Sequence, residues 1–239
     1  MKKLKKMDIL FLCIFVVLLI YALVTGKFAW FKAWTTQSPY LASFVKFAVL
    51  ATFGECLALR IKTGSYYRKG FGLAPRVLAW GVLGVFVYII FTIFAAGAWP
   101  LLETLGFTTP PEGFGLTAIL VSFTISVTVN VLWAPVLMVL HKVSDNRIEN
   151  TNGSLLRYLT SKLDIAQLLR EVDWNVMWGF VIKKTIPLFW IPAHTITFLL
   201  PPYLRVLCAA VLSVVLGVIL SLAAQTARRR KQAPNVGAK

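Results

Sequence analysis

Residues 189–202 read FWIPAHTITFLLPP. Taken as one run, this is apolar enough for a membrane helix. Yet it carries Pro192 inside, a histidine two places later, and Pro201-Pro202 at its end. Lipid penalises unpaired polar groups and broken backbone ladders. The stretch therefore decides between two architectures, a buried segment of a soluble core and a kinked span of a membrane bundle. Its surroundings favour the second. The chain has 239 residues, 58% of them hydrophobic and only 14% charged, with a mean hydropathy of +0.76. A soluble domain of that length carries more charge and less apolar surface.

Working outward, six segments reach the roughly 20 apolar residues that a bilayer core demands. They are 8–25, 41–60, 76–99, 114–140, 175–199 and 203–225. The expected fold is all-α: a polytopic membrane bundle of about six transmembrane helices forming one domain over 1–239. The basic residues set its orientation. Nineteen Lys and Arg lie on one set of flanks, in the groups Lys2–Lys6, Arg60–Arg76, Lys142–Arg170 and Arg228–Lys239, against only Lys27, Lys32 and Arg205 on the other. The positive-inside rule then predicts that both termini are cytoplasmic. The net charge of +16 is thus spread between apolar runs. That pattern suits anionic lipid at the cytoplasmic face and argues against nucleic acid. The KKLKK start before the first run has the form of a signal peptide, but the run is long and lacks an A-x-A end, so an uncleaved anchor is expected.

The one polar stretch, 142–173, is expected to be a cytoplasmic loop. SDNRIENTNGS reads as turn-rich. LLRYLTSKLDIAQLLREV reads as an amphipathic surface helix with Leu155, Leu159, Leu163, Ala166 and Leu169 on one face and Ser161 and Asp164 as a capping pair.

Polar groups inside the spans are the candidate functional residues. On the fourth, Ala118, Ser122, Ser126, Asn130 and Ala134 share a face; they read as interhelical hydrogen bonding or as the wall of a wetted cavity. On the sixth, Ala209, Ser213, Gly217 and Ser221 form a small-residue packing stripe. Asp8 and Lys46 lie near span ends and can snorkel. Glu55, Lys183 and Lys184 are deeper. At about 1.5 Å per residue, Glu55 falls ~8 Å and Lys183 ~13 Å from the cytoplasmic boundary. A Glu55–Lys183 or Glu55–Lys184 ion pair is therefore expected, since pairing removes the cost of an isolated charge. With 100° per residue, Lys183, Trp190, His194 and Phe198 share one face, and Pro187 and Pro192 kink the helix. His141 and His194 fall at opposite ends of their spans, so they are not expected to cooperate.

Cys13, Cys56 and Cys208 lie in apolar runs without ligand spacing, so they read as packing residues, with no metal site. HExxH, GxSxG and phosphate-loop motifs are missing from the sequence, as are paired carboxylates. No catalytic residue, enzyme activity or cofactor is expected.

The last third resembles the Mpv-seventeen family of peroxisomal and inner-mitochondrial membrane proteins. The resemblance rests on Trp190, His194 in the place of a glutamine, Thr197 in the place of an asparagine, Phe198, Pro202, Arg205 and the closing Leu220-Ser221, with Gly54-Glu55 matching an earlier Gly-Asp. It implies small-solute permeability or channel-like activity; the family is usually described with four spans. The expected function is a channel or small-solute pathway lined by Glu55, Ser126, Asn130, Lys183 and His194, in a bacterial plasma membrane, with a homo-oligomer or a partner membrane subunit compatible with it. The alternatives are a substrate-binding membrane subunit of a larger transporter and a structural or assembly protein without transport.

Overall fold

A computed structural model describes residues 28–109 and 113–232, with side chains through 226. Among these residues every regular element is helical. In order they are α1 (Phe28–Gln37), α2 (Pro39–Thr63), α3 (Leu73–Thr104), α4 (Leu116–Thr128), a π-helical turn π1 (Val129–Trp133), α5 (Ala134–Asn150), α6 (Leu155–Thr160), α7 (Ile165–Arg170), α8 (Trp174–Val176), a second π-helical stretch π2 (Met177–Trp190), α9 (Ile191–Leu199) and α10 (Pro202–Gln232).

Four helices are long and apolar enough to cross a membrane: Pro39–Thr63, Leu73–Thr104, Leu116–Asn150 and Pro202–Thr226. They coincide with the second, third, fourth and sixth expected spans. The first expected span, 8–25, lies outside the described residues. The fifth is helical from Trp174 to Leu199, but its two lysines, His194 and two prolines leave it less apolar than the other four. The protein is therefore a membrane protein with at least these four candidate spans. Large apolar side chains such as Val49, Ile93, Leu132 and Leu188 are exposed on the outer helix faces. In water they would be a liability; against acyl chains they are matched.

Small residues set how closely the helices approach. α2 packs along both α3 and α10. A Cβ on Gly84 would sit 2.5 Å from Phe47 Cβ and 2.6 Å from the Ser43 carbonyl, and one on Gly54 would sit 3.1 Å from Val214 Cα. Ala209, Ala210 and Ser221 of α10 are buried. The core between these helices holds Phe47, Ala51, Val87, Phe91, Ile125 and Phe198.

Two features depart from the sequence reading. The segment SDNRIEN is helix: α5 runs on to Asn150 and stops at a turn over 151–153, where Gly153 (φ 70°) and Gly72 (φ 71°) meet. A Cβ on Gly153 would lie 2.5 Å from Gly72 N, so only glycine allows the two loops to touch. The expected amphipathic helix is two short helices. Ser154 caps α6 by accepting from Arg157 N, and Asp164 caps α7 by accepting from Gln167 N. Asp164 is thus itself the cap, and Ser161 ends the preceding helix. The apolar face moves accordingly: Leu155, Leu159 and Leu163 are exposed, and Leu168 and Val172 are buried.

Proline explains the π segments. Pro135 and Pro187 have no N–H to give to the i−4 carbonyl, and the chain nearby shifts to longer rings. Ala134 N–H reaches Val129 O, and Ile191 N–H reaches Ile186 O.

Candidate functional site: a charged knot beside an aromatic cavity

The charged knot joins α2, α3 and α5. Glu55 extends from α2 into a position that is a fifth exposed. Its carboxylate is bonded by Arg76 Nη1, from the first turn of α3. The same nitrogen donates to Asp145 Oδ1 of α5 at 2.7 Å, and Arg76 Nε donates to the Phe71 carbonyl at 2.9 Å. Trp80 Nε1 donates to Glu55 Oε1 at 2.5 Å, and His141 Nε2 lies 3.3 Å from that oxygen and 3.7 Å from Asp145 Oδ2. Two carboxylates thus share one buried guanidinium. Nη1 serves both carboxylates while Nε holds the Phe71 carbonyl, so the planar guanidinium is fixed in place as it bonds them.

This corrects the expected partner of Glu55. Lys183 and Lys184 are both exposed, and the Lys183 ammonium lies over the Trp178 ring at 5.6 Å from its centre. The reason is helical pitch. A π turn of about 4.4 residues advances roughly 82° per step, so seven steps back from Trp190 bring Lys183 nearly to the opposite side. The 100° assumption had placed it on the Trp190 face.

Lys46 is deeper than snorkelling suggests. It is buried, donates from Nζ to Thr35 Oγ1 at 3.0 Å, and lies 4.7 Å from the centre of the Phe31 ring.

Glu55, His141 and Asp145 place oxygen and nitrogen atoms within 4.8 Å of one another, close enough to hold a metal ion. Arg76 already bonds both carboxylates, so the donor set is organised around a guanidinium.

The second centre lies where α4, π1 and α9 meet, and here the sequence candidates converge. Ser126, Asn130 and Thr197 are fully buried, and Ser122, Trp190, His194 and Phe198 are nearly so. Ser126 Oγ donates to the Ile191 carbonyl at 2.7 Å and so ties α4 to the start of α9; the Thr195 hydroxyl donates to the same carbonyl at 2.8 Å. Asn130 Nδ2 donates to the Ser126 carbonyl at 2.8 Å and lies 3.0 Å from His194 Nδ1. A carbonyl only accepts, so the Ser126 contact fixes which end of the Asn130 amide is nitrogen. The second hydrogen of that nitrogen then points to His194 Nδ1, which must accept. In the neutral ring the proton therefore sits on Nε2.

The His194 ring is held edge-on to Phe91 at 5.2 Å and against Trp190 at 5.0 Å. The fourth-span stripe is thus a helix contact, with its polar groups turned on α9. Beside it opens a cavity of about 60 Å3, walled by Trp80, Phe91, Trp133 and Trp190 and bordered by Asn130 and His194. Four buried polar atoms on its lining residues have no protein partner: Asn130 Oδ1, Trp133 Nε1, Trp190 Nε1 and His194 Nε2.

Trp80 joins the two centres. It lines the cavity, donates to Glu55 and packs at a tilt against His141 with ring centres 4.3 Å apart. Arg76, Asp145, His141 and Trp80 were missed as functional residues in the sequence. The available signal was the four-residue spacing of His141 and Asp145, which puts both on one face once α5 is helical.

The remaining signature residues are structural. Arg205 ties the α9–α10 corner by donating to the Leu200 carbonyl at 3.0 Å and the Phe198 carbonyl at 3.1 Å. Pro202 opens α10, and Gly54 marks the α2–α10 contact. No family model, curated protein or solved structure matches the chain.

Proposed function

We infer that the chain provides a pathway for a small solute through a membrane bundle of about six helices, with both termini cytoplasmic, in the plasma membrane of a bacterium. The observation that carries this reading is the gathering of four buried, unpartnered polar atoms on residues that line one aromatic cavity. Each such atom costs about 1–3 kcal/mol if nothing meets it. A bundle selected only for packing would hold apolar side chains there.

The charged knot supports the same reading. Charges within a membrane bundle are expensive and mark the routes of solutes and protons. Trp80 places the knot directly beside the cavity. In this topology the 174–199 segment is the fifth span. Lys183 and Lys184 face outward on that segment, and the Lys183 ammonium lies over the Trp178 ring nearer its cytoplasmic end. The basic cytoplasmic loops hold anionic lipid. The Mpv-seventeen resemblance implies the same kind of permeability.

The test is solute release from liposomes that contain the purified protein, beside Asn130→Leu and His194→Phe. Release of small uncharged solutes by the wild type, reduced in variants that keep their near-UV circular dichroism, supports the pathway. Wild-type release no faster than that of protein-free vesicles refutes it and leaves a structural role.

A further inference from the structure

We propose that the cleft between α5 and the α6–α7 hairpin, lined by Arg147, Arg157 and Lys162, binds the phosphate of an anionic lipid headgroup while the exposed leucines of the hairpin enter the same leaflet. The proposal goes beyond a general attraction of basic loops for lipid, and rests on the pathway reading only for which leaflet this is.

The hairpin is fixed to the end of the bundle. Arg147 Nε donates to the Tyr158 carbonyl at 2.7 Å and Nη2 to the Ser161 carbonyl at 2.9 Å, with the guanidinium 5.4 Å from the centre of the Tyr158 ring. Asn146 Nδ2 donates to the Leu168 carbonyl at 3.2 Å, which holds the second helix as well. Asn146 and Arg147 directly follow Asp145, whose partner Arg76 stands in the first turn of α3. The hairpin therefore sits at the depth where spans leave the bilayer.

The cleft measures about 230 Å3, and its charged lining is Arg147, Arg157, Lys162 and Asp164. Asp164 Oδ1 is occupied in capping α7, where it accepts from Gln167 N–H at 2.9 Å. None of the three cations is in an ion pair among the described residues. Arg147 is held in place by the two carbonyls, and Arg157 and Lys162 are exposed beside it. Three cations against one carboxylate suit an anion, and guanidinium forks suit phosphate oxygens. At about 10–15 Å3 per water, the cleft has room for roughly fifteen or more non-hydrogen atoms, enough for a phosphate and a glycerol together.

The apolar surface identifies the phosphate as a lipid's. Leu156, Leu159 and Leu163, interleaved with the two exposed cations, are 71%, 58% and 54% exposed. Trp174, also exposed, donates from Nε1 to the Leu169 carbonyl of α7 at 3.1 Å, which places a tryptophan of interfacial type at the base of the hairpin. Leucines toward acyl chains and cations toward headgroups are the arrangement of an interfacial anchor. A soluble phosphate compound would leave the leucines in water.

The experiment is native mass spectrometry of the full chain in detergent, titrated with phosphatidylglycerol and phosphatidylcholine of matched acyl chains. Phosphatidylglycerol is expected to bind at least tenfold more tightly. Arg157→Gln with Lys162→Gln is expected to weaken it about tenfold and to leave phosphatidylcholine unchanged. Arg68→Gln with Lys69→Gln removes the same charge from an exposed loop that does not line the cleft, and is expected to change binding less than twofold. Leu156→Asn with Leu159→Asn is expected to weaken both lipids. Equal binding of the two lipids, equal losses in the two charge variants, unchanged binding in the leucine variant, or displacement of phosphatidylglycerol by an equimolar amount of glycerol 3-phosphate would each overturn the proposal. Liposome release separates the two readings. Release without a lipid preference removes the headgroup site and leaves the pathway; a preference without release does the reverse.

Discussion

Removing Arg76 is expected to cost more than removing either of its partners, and the excess can be worked from the knot itself. Arg76 Nη1 bonds both Glu55 and Asp145, and its side chain is only 9% exposed against 20% for each carboxylate. With charge centres about 4 Å apart and an effective dielectric of about 20, each attraction is worth ~4 kcal/mol, so two give ~8 kcal/mol. Desolvation of the three groups and repulsion between the carboxylates offset most of that. What remains decisive is the state after mutation. In Arg76→Met, two carboxylates face each other with only His141 near both, at 3.3 Å and 3.7 Å. Breaking a buried pair costs about 3–5 kcal/mol; the partial exposure of the carboxylates points to the lower end, ~3 kcal/mol. Glu55→Gln removes one attraction and one repulsion, and its expected cost is ~1–2 kcal/mol. The double variant should cost less than the sum of the singles by at least ~1 kcal/mol, because the carboxylate stranded by the first change is removed by the second. The assay is reversible unfolding in mixed detergent micelles, followed by tryptophan fluorescence. The cycle also cancels the loss of the Arg76–Phe71 carbonyl bond, which belongs to the arginine alone. Strict additivity of the two changes would refute the shared-guanidinium account.

Other perturbations separate helix contacts from free surface. Gly84→Val places methyl groups where a Cβ already meets Phe47 at 2.5 Å, and should lower stability in the same unfolding assay by ~3 kcal/mol or more. Gly97→Ala, also in α3, meets nothing within 4 Å and should be neutral or stabilising by up to ~1 kcal/mol. Lys183→Gln should change stability by less than ~1 kcal/mol, since its side chain is exposed and its ammonium lies over the Trp178 ring; a loss of 3 kcal/mol would show that it is paired inside the bundle. Gly153→Ala should destabilise by more than ~2 kcal/mol, because it combines a φ of 70° with an approach of 2.5 Å to Gly72, and thermal unfolding will show this as a lowered midpoint.

How much of this was legible in the sequence depended on which signal each element carries. α2, α3, the α4–α5 run and α10 were legible because hydropathy needs no knowledge of neighbours. Ser126, Asn130 and His194 were legible as a group because polar residues in an apolar run gain partners by facing other helices, and the four-residue spacing of Ser126 and Asn130 puts both on one face. The misplacement of Lys183 came from a wrong assumption about backbone geometry. A uniform 100° step carried Lys183 onto the Trp190 face, although Pro187 and Pro192 were visible and are known to break the ladder. The sequence shows that a helix is perturbed at proline, but the direction in which the chain rewinds depends on what it packs against.

The knot was hidden by a different assumption. Counting Arg76 among the cytoplasmic flanks treats it as a label of topology. Treating SDNRIEN as a turn removes Asp145 from any helix face. Each assignment is reasonable by itself, yet together they leave Glu55 with no partner except the lysines. The structure shows that one residue can serve both ends. Arg76 stands in the first turn of α3, where it still counts as a basic flank, and its guanidinium reaches back between α2 and α5. An unpaired carboxylate within a span is therefore better matched first against arginines at helix starts than against lysines at equal depth. The arginine fork can bond two carboxylates and a backbone carbonyl at once, as Arg76 does. A lysine at the same depth offers a single point charge, which its own helix can turn outward.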